Sequence, residues 1–129
     1  MIIDTSALLA ILFDEQDAER YARAIAEAET RRVSAATFVE AAIVIEAQTR
    51  SGGNLQLDAF FRRAGIAIEV VTEEQAHLAR QAFADFGKGR HPAGLNYGDC
   101  FSYALAKATG EPLLFKGSDF SRTDLVAAI

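Results

Sequence analysis

Met1-Ile2-Ile3-Asp4-Thr5-Ser6-Ala7-Leu8-Leu9-Ala10 opens the chain, and its order decides the architecture. Ile2-Ile3 is a very short apolar run, and Asp4-Thr5-Ser6 behind it is turn-prone. This pattern predicts a buried strand ending near Asp4, followed by a helix from about Ser6 to Phe13. A strand that runs straight into a helix is the first half of a β-α-β unit, so a second parallel strand should follow.

Outward from that start the alternation continues. Tyr21, Ala24, Ile25 and Ala28 recur at helical spacing and predict a helix over about 16–30. Arg32-Val33-Ser34 reads as a second short strand, with Ser34 as the cap of a helix over 35–47. That helix is apolar except at Thr37, Glu40 and Glu46, the pattern of a helix buried nearly all round. A helix over 55–63 stops at Gly65, and Ile66 to Val71 is rich in β-branched residues and predicts a strand. Thr72 followed by Glu73-Glu74-Gln75 starts a helix reaching about Phe86. Gly87 to Tyr97 carries three glycines and Pro92 and reads as a loop before a helix over 98–109, closed by Gly110. Pro112 to Phe115 is the last clear strand, with loop or turn to Thr123 and a small element at the end. Strands alternating with helices imply an α/β fold whose mostly parallel sheet is covered on both faces.

The totals agree with one domain over 1–129: half the residues are hydrophobic and a quarter charged. The single cysteine, Cys100, cannot pair within the chain, and no apolar run approaches the ~20 residues of a membrane span. No basic leader precedes Asp4. A soluble cytoplasmic protein is expected. The net charge of −5 argues against a generic nucleic-acid binder, which is normally basic. Four acids that would face a cation account for most of it, and without them the balance is −1.

Those four are Asp4, Glu40, Asp99 and Asp119. Open parallel sheets bind ligands at the carboxyl ends of their strands, where Asp4 and Asp119 fall. Each reads equally well as a simple turn or cap residue. Glu40 sits on the apolar helix, where an ionised carboxylate is costly without a positive partner. It reads otherwise as an acid at a solvated edge or paired with an arginine. Glu46, about 240° further round that helix, is read as solvent-facing or ion-paired. Asp99 opens a helix and reads also as a capping acid. Together, clustered carboxylates repel unless a cation holds them, and all-oxygen ligands suit Mg²⁺ or Mn²⁺. Such an ion supports hydrolysis of a phosphodiester, leaving 5′-phosphate and 3′-hydroxyl ends. Thr5 and Ser6 are supporting candidates or caps, and Asp124 is a fifth acid or a cap. Lys88, Arg90, His91 and Lys116 flank the site segments and are candidates for phosphate contact, or are simply solvated. His77 is read as structural or exposed, and Cys100 as a buried small residue rather than a nucleophile.

The opening stretch, Glu40, Asn96-Tyr97-Gly98-Asp99-Cys100-Phe101-Ser102-Tyr103-Ala104-Leu105-Ala106 and the run from Leu113 to Asp124 resemble the PIN-domain family, most closely its VapC-type toxins. The resemblance covers essentially the whole chain. It implies a three-layer α/β/α sandwich with a central parallel sheet, and a Mg²⁺- or Mn²⁺-dependent endoribonuclease acting on tRNA or ribosomal RNA. It implies a VapB-type antitoxin partner, a homodimer, and contact with DNA only through that antitoxin. It carries the acidic site to Asp4, Glu40, Asp99 and Asp119, a small hydroxyl to Ser6, and an acid found in part of the family to Asp124.

Two rivals fit part of the pattern. A phosphoacceptor receiver domain matches the early Asp4 and late Lys116, but needs an acceptor aspartate after a middle strand, and the 66–71 strand ends in Thr72-Glu73. A phosphatase of the haloacid-dehalogenase type would need an acid two residues after Asp4, where Ser6 stands. A catalytically silent interaction module on the same fold is the third reading.

Overall fold

A computed structural model describes residues 1–129. The strands are β1 (Ile2–Ile3), β2 (Arg32–Ser34), β3 (Ala67–Glu69) and β4 (Leu113–Leu114). The helices are α1 (Thr5–Leu12), α2 (Ala18–Glu27), α3 (Ala35–Gln48), α4 (Gly53–Ala64), α5 (Glu73–Phe86) and α6 (Tyr97–Thr109). A 3₁₀ turn at Phe120–Arg122 follows β4.

The four strands form one sheet in the order β3-β2-β1-β4, with every pairing parallel. Ile2 and Ile3 lie beside Leu113 and Leu114, and alternation sends them to opposite faces. Ile3 and Leu114 enter a core with Leu8, Tyr21, Ile25, Ile45, Leu57 and Phe61, from α1 to α4. Ile2 and Leu113 enter a second core with Ala82, Leu95, Tyr103 and Leu105, from α5, α6 and their connection. Each face of the sheet therefore has its own apolar layer, which makes the molecule a three-layer α/β/α sandwich. Fully burying a Leu or Ile stabilises by roughly 1.5–3 kcal/mol, so two-residue strands suffice when every side chain is buried.

The caps explain the helix boundaries. Asp4, Ser34 and Thr72 accept from backbone N–H groups of the first turns of α1, α3 and α5. Gly65 and Gly110 end α4 and α6 in the left-handed region, at φ 63° and 71°.

Two expectations are corrected. α3 is not buried nearly all round: Val39 is 53% and Ile43 63% exposed, while Thr37, Ala41 and Ile45 face inward. An all-apolar pattern does not distinguish a surrounded helix from one with an apolar outer face. The 66–71 strand is shorter than expected, Ala67–Glu69, because β3 is an edge strand. Ile68 and Val70 stay exposed, with only β2 as a neighbour. No helix is long and apolar enough to cross a membrane.

Candidate metal centre

The four acids come from four separate elements and meet at the carboxyl edge of the sheet. Asp4 leaves β1 and caps α1. Although 3% exposed, its carboxylate is fully engaged: Ser6 donates to Oδ2 through its backbone N–H (3.0 Å) and its hydroxyl (2.7 Å), and Ser102 Oγ donates to Oδ1 at 2.6 Å. Ser6 Oγ also accepts from the backbone N–H of Lys116 at 2.9 Å. That bond ties the exit of β1 to the exit of β4.

Asp99 lies in the first turn of α6 in a reciprocal cap. Its backbone N–H donates to Asn96 Oδ1 at 2.9 Å, and its own Oδ2 accepts from the Asn96 N–H at 3.0 Å. Glu40 reaches this turn from α3. It accepts from the Thr5 hydroxyl, and its carboxylate lies against Gly98 so closely that a Cβ there would overlap it. Asp119 precedes the 3₁₀ turn and is exposed, with no side-chain hydrogen bond at its cap. Buried Phe120, packed on Phe115 with ring centroids 5.3 Å apart, anchors that turn. Arg122 ties it to the 87–95 connection by donating to the Pro92 carbonyl at 3.0 Å.

The electrostatics follow from this arrangement. Asp99 is pushed up to about 6, first by burial, against which the Asn96 backbone bond pulls downward. The negative charges of Asp4, Glu40 and Asp119 raise it further, so all three lie within Coulombic range of Asp99. None of the four takes part in any of the molecule's ion pairs. They are neighbours, not a closed coordination shell: no three Asp, Glu, His or Cys side chains converge at ligand spacing.

The donor set still suits a hard divalent ion. Every candidate ligand is a carboxylate oxygen, and none of the four is in an ion pair. Mg²⁺ commonly keeps several waters and takes only one or two carboxylates directly, so a tight three-acid cluster is not required. Among the candidate carboxylates Asp4 and Asp99 are the best fixed, Glu40 is steadied by Thr5, and Asp119 has no side-chain hydrogen bond at its cap.

The remaining candidates separate. Asp124 is committed elsewhere, accepting from Tyr103 Oη (2.7 Å) and Lys107 Nζ (2.9 Å). Lys107, Tyr103 and its own backbone hold it below its ordinary range despite partial burial. Lys116 pairs with Glu15. His91 Nδ1 accepts from the Ala93 N–H at 3.0 Å, and its ring meets Phe86 edge-on. Arg90 lies over the Phe83 ring at 5.9 Å. Lys88 is exposed and its ammonium has no partner. His77 and Glu46 are exposed and Cys100 is buried, as read from the sequence. Glu69, which ends β3, is ion-paired with Arg32 at 3.0 Å, leaving no acceptor acid of the receiver type there.

The sequence reading passed over Asn96, Gly98, Thr37 and Ser102. Only Asn96 left a signal: Asn-x-x-Asp before an apolar run is a capping pattern.

A PIN-domain family profile matches residues 1–126. The chain belongs to the PIN-domain family. Among its PIN-domain relatives is a ribonuclease VapC of Mycolicibacterium smegmatis, 54% identical over 127 residues and 98% of each chain. Ribonuclease VapC30 of Mycobacterium tuberculosis is 53% identical over 125 residues, 97% of this chain and 95% of the relative. At this level the chain is a VapC-type PIN domain. The crystal structure of Mycobacterium tuberculosis VapC20, a toxin described as cleaving the sarcin-ricin loop, superposes with a TM-score of 0.77. That match covers 97% of this PIN domain and 95% of the other chain at 18% identity, and it bears on the fold alone.

Proposed function

We propose that this PIN domain is a Mg²⁺- or Mn²⁺-dependent endoribonuclease, with residues 1–129 acting as one unit. The observation that carries this reading is that Asp4, Glu40 and Asp119 lie within Coulombic range of Asp99 at one sheet edge and that none of the four is ion-paired. Relatives above 50% identity bear the name ribonuclease. Asp4, Glu40, Asp99 and Asp119 would hold the divalent ion, which when bound would supply an activated water and offset phosphate charge; hydrolysis would leave 5′-phosphate and 3′-hydroxyl ends.

The chain's own residues do the rest. Ser6 and Ser102 fix the plane of the Asp4 carboxylate, and Asn96 fixes Asp99. Thr5 orients Glu40. Lys88 and Arg90 can meet RNA phosphates from the rim, and Lys116 can do so once released from Glu15. His91, with Nδ1 engaged, offers Nε2 as a donor. The relatives' VapC name supports reading the chain as a type II toxin with a VapB-type antitoxin and an RNA substrate; as part of the same proposal it works in the cytoplasm, as a homodimer, on tRNA or ribosomal RNA. Contact with DNA then comes only through the antitoxin.

Purified protein should bind Mn²⁺ in calorimetry and cut RNA, and both should vanish with EDTA. Asp4→Asn should lose both. Absence of Mn²⁺ binding by the parent chain would refute the proposal. Mapping RNA ends after brief expression identifies the target.

A further inference from the structure

Behind Asp4 the Ser102 bond continues inward, into a second buried hydroxyl, that of Thr37. Ser102 and Thr37 are each 1% exposed. Ser102 Oγ donates to Asp4 Oδ1 at 2.6 Å and lies 3.1 Å from Thr37 Oγ1. An ionised carboxylate only accepts, so the single Ser102 proton goes to Asp4 and Thr37 must be the donor to Ser102. The direction is fixed: Thr37 to Ser102 to Asp4.

This is not how hydroxyls in helices usually spend their protons. Thr49 and Thr109 of the same chain bond back to carbonyls four residues earlier, Ile45 and Leu105, at 2.7 and 2.8 Å. Thr37 and Ser102 have no such bond and reach across between elements. Their placement is pointed. Thr37 stands one turn before Glu40 on α3, and Ser102 one turn after Asp99 on α6. The relay therefore joins the two helices that carry Glu40 and Asp99 at the place where both meet Asp4.

We propose that Thr37 and Ser102 are positioning residues, a buried hydroxyl relay that aims the Asp4 carboxylate and sets the spacing of α3 against α6 for divalent-ion binding. The inference rests on the proposed metal site. Partners behind a ligating side chain typically change metal affinity by about 10–100-fold when removed.

The test is Mn²⁺ calorimetry on the full chain at a temperature well below melting, with folding checked by circular dichroism. Ser102→Ala should weaken Mn²⁺ binding about 10-fold or more. Thr37→Val, which keeps shape and removes the donor, should weaken it several-fold, and Thr37→Ser should restore it to within about two-fold. Combined with Ser102→Ala, Thr37→Val should add almost nothing, because the relay is already broken. Hydroxyls that only fastened α3 to α6 would lower the melting temperature and leave the Mn²⁺ dissociation constant unchanged. Unchanged binding in Ser102→Ala and Thr37→Val, with binding lost in Asp4→Asn, overturns the relay alone. Unchanged binding in all three overturns the metal site and the relay with it.

Discussion

The two ends of the sheet treat acids in opposite ways. At the amino end, Glu111 precedes β4 and is surrounded by positive partners. The N-terminal ammonium of Met1 lies 2.5 Å from Oε1, Thr30 donates to the same oxygen, and Arg32 Nε is 2.9 Å from Oε2, though not aligned for a hydrogen bond. Burial works to raise Glu111, but these partners outweigh it and hold the carboxyl below its ordinary range. At the carboxyl end, Asp99 has burial and three acids against it and rises to about 6. One acid is satisfied by cationic partners of its own fold, and the other has no ion-pair partner. An acid completed by lysine, arginine or an amino terminus serves stability, whereas an acid left incomplete marks the place where a ligand belongs.

The sharpest way to break this contrast is to neutralise one acid at each end. Asp99→Asn should reduce Mn²⁺ affinity and RNA cleavage by more than about 100-fold, the upper range for residues that only support ligands. Glu111→Gln should leave both within about two-fold while costing about 1–3 kcal/mol of stability in urea unfolding, because the buried ammonium loses its counter-charge. A large effect of Glu111→Gln on Mn²⁺ binding would erase the distinction.

A steric change at the carboxyl end comes next. In Gly98→Ala the new methyl would displace the Glu40 carboxylate. Mn²⁺ affinity should drop about 10-fold, as for other disturbances of ligand support, with a loss of about 1–3 kcal/mol from overpacking. Titration separates the ends further. Between pH 4 and 6, folded metal-free protein holds a proton on Asp99 that the unfolded chain, near its ordinary 3.8, does not. This group therefore makes the protein more stable as pH falls through that window, and Asp99→Asn removes the gain. Glu111 acts the other way: its contribution is complete above the ordinary 4.5 and is lost as pH falls through its lowered folded value. Mn²⁺ must compete with the Asp99 proton, so its apparent affinity should fall below about pH 6, by at most about 10-fold per pH unit for one proton. The smallest effect is expected at the rim. Lys88→Ala should raise KM for RNA a few-fold and flatten its salt dependence, with Mn²⁺ binding unmoved.

Much of this was legible in the residues. Ile2-Ile3-Asp4 announced a strand edge with an acid, and Asp99 before an apolar helical run announced a first-turn carboxylate. Both signals are local, written in adjacent side chains. Glu40 stands out as an acid on an apolar helix, but the cost inferred for it presumed a fully surrounded helix, and Glu40 is in fact half-buried. What stayed hidden depends on contacts between distant segments. Nothing near Gly98 indicates that Glu40 will lie on it, and nothing in Thr37 or Ser102 indicates that they share a hydrogen bond across 65 residues of sequence. The outer face of α3 was misjudged because Val39 and Ile43 obey the same helical period as the buried Ala41 and Ile45. Periodicity reports that a side chain is apolar, not whether another element arrives to cover it.

The brevity of β1 has a consequence for how this chain tolerates change. A one-residue slip sends every side chain of a strand to the opposite face, and a two-residue strand has little pairing to resist it. Here a shift by one would swap Ile2 and Ile3 between the two apolar layers and move Asp4 by about 3.3 Å along the sheet. An insertion or deletion between Ile2 and Asp4 therefore exchanges one Ile for another in the two apolar layers but displaces the acid. A misfolded fraction should for that reason be inert, with no partly active, mispaired species among the refolding products.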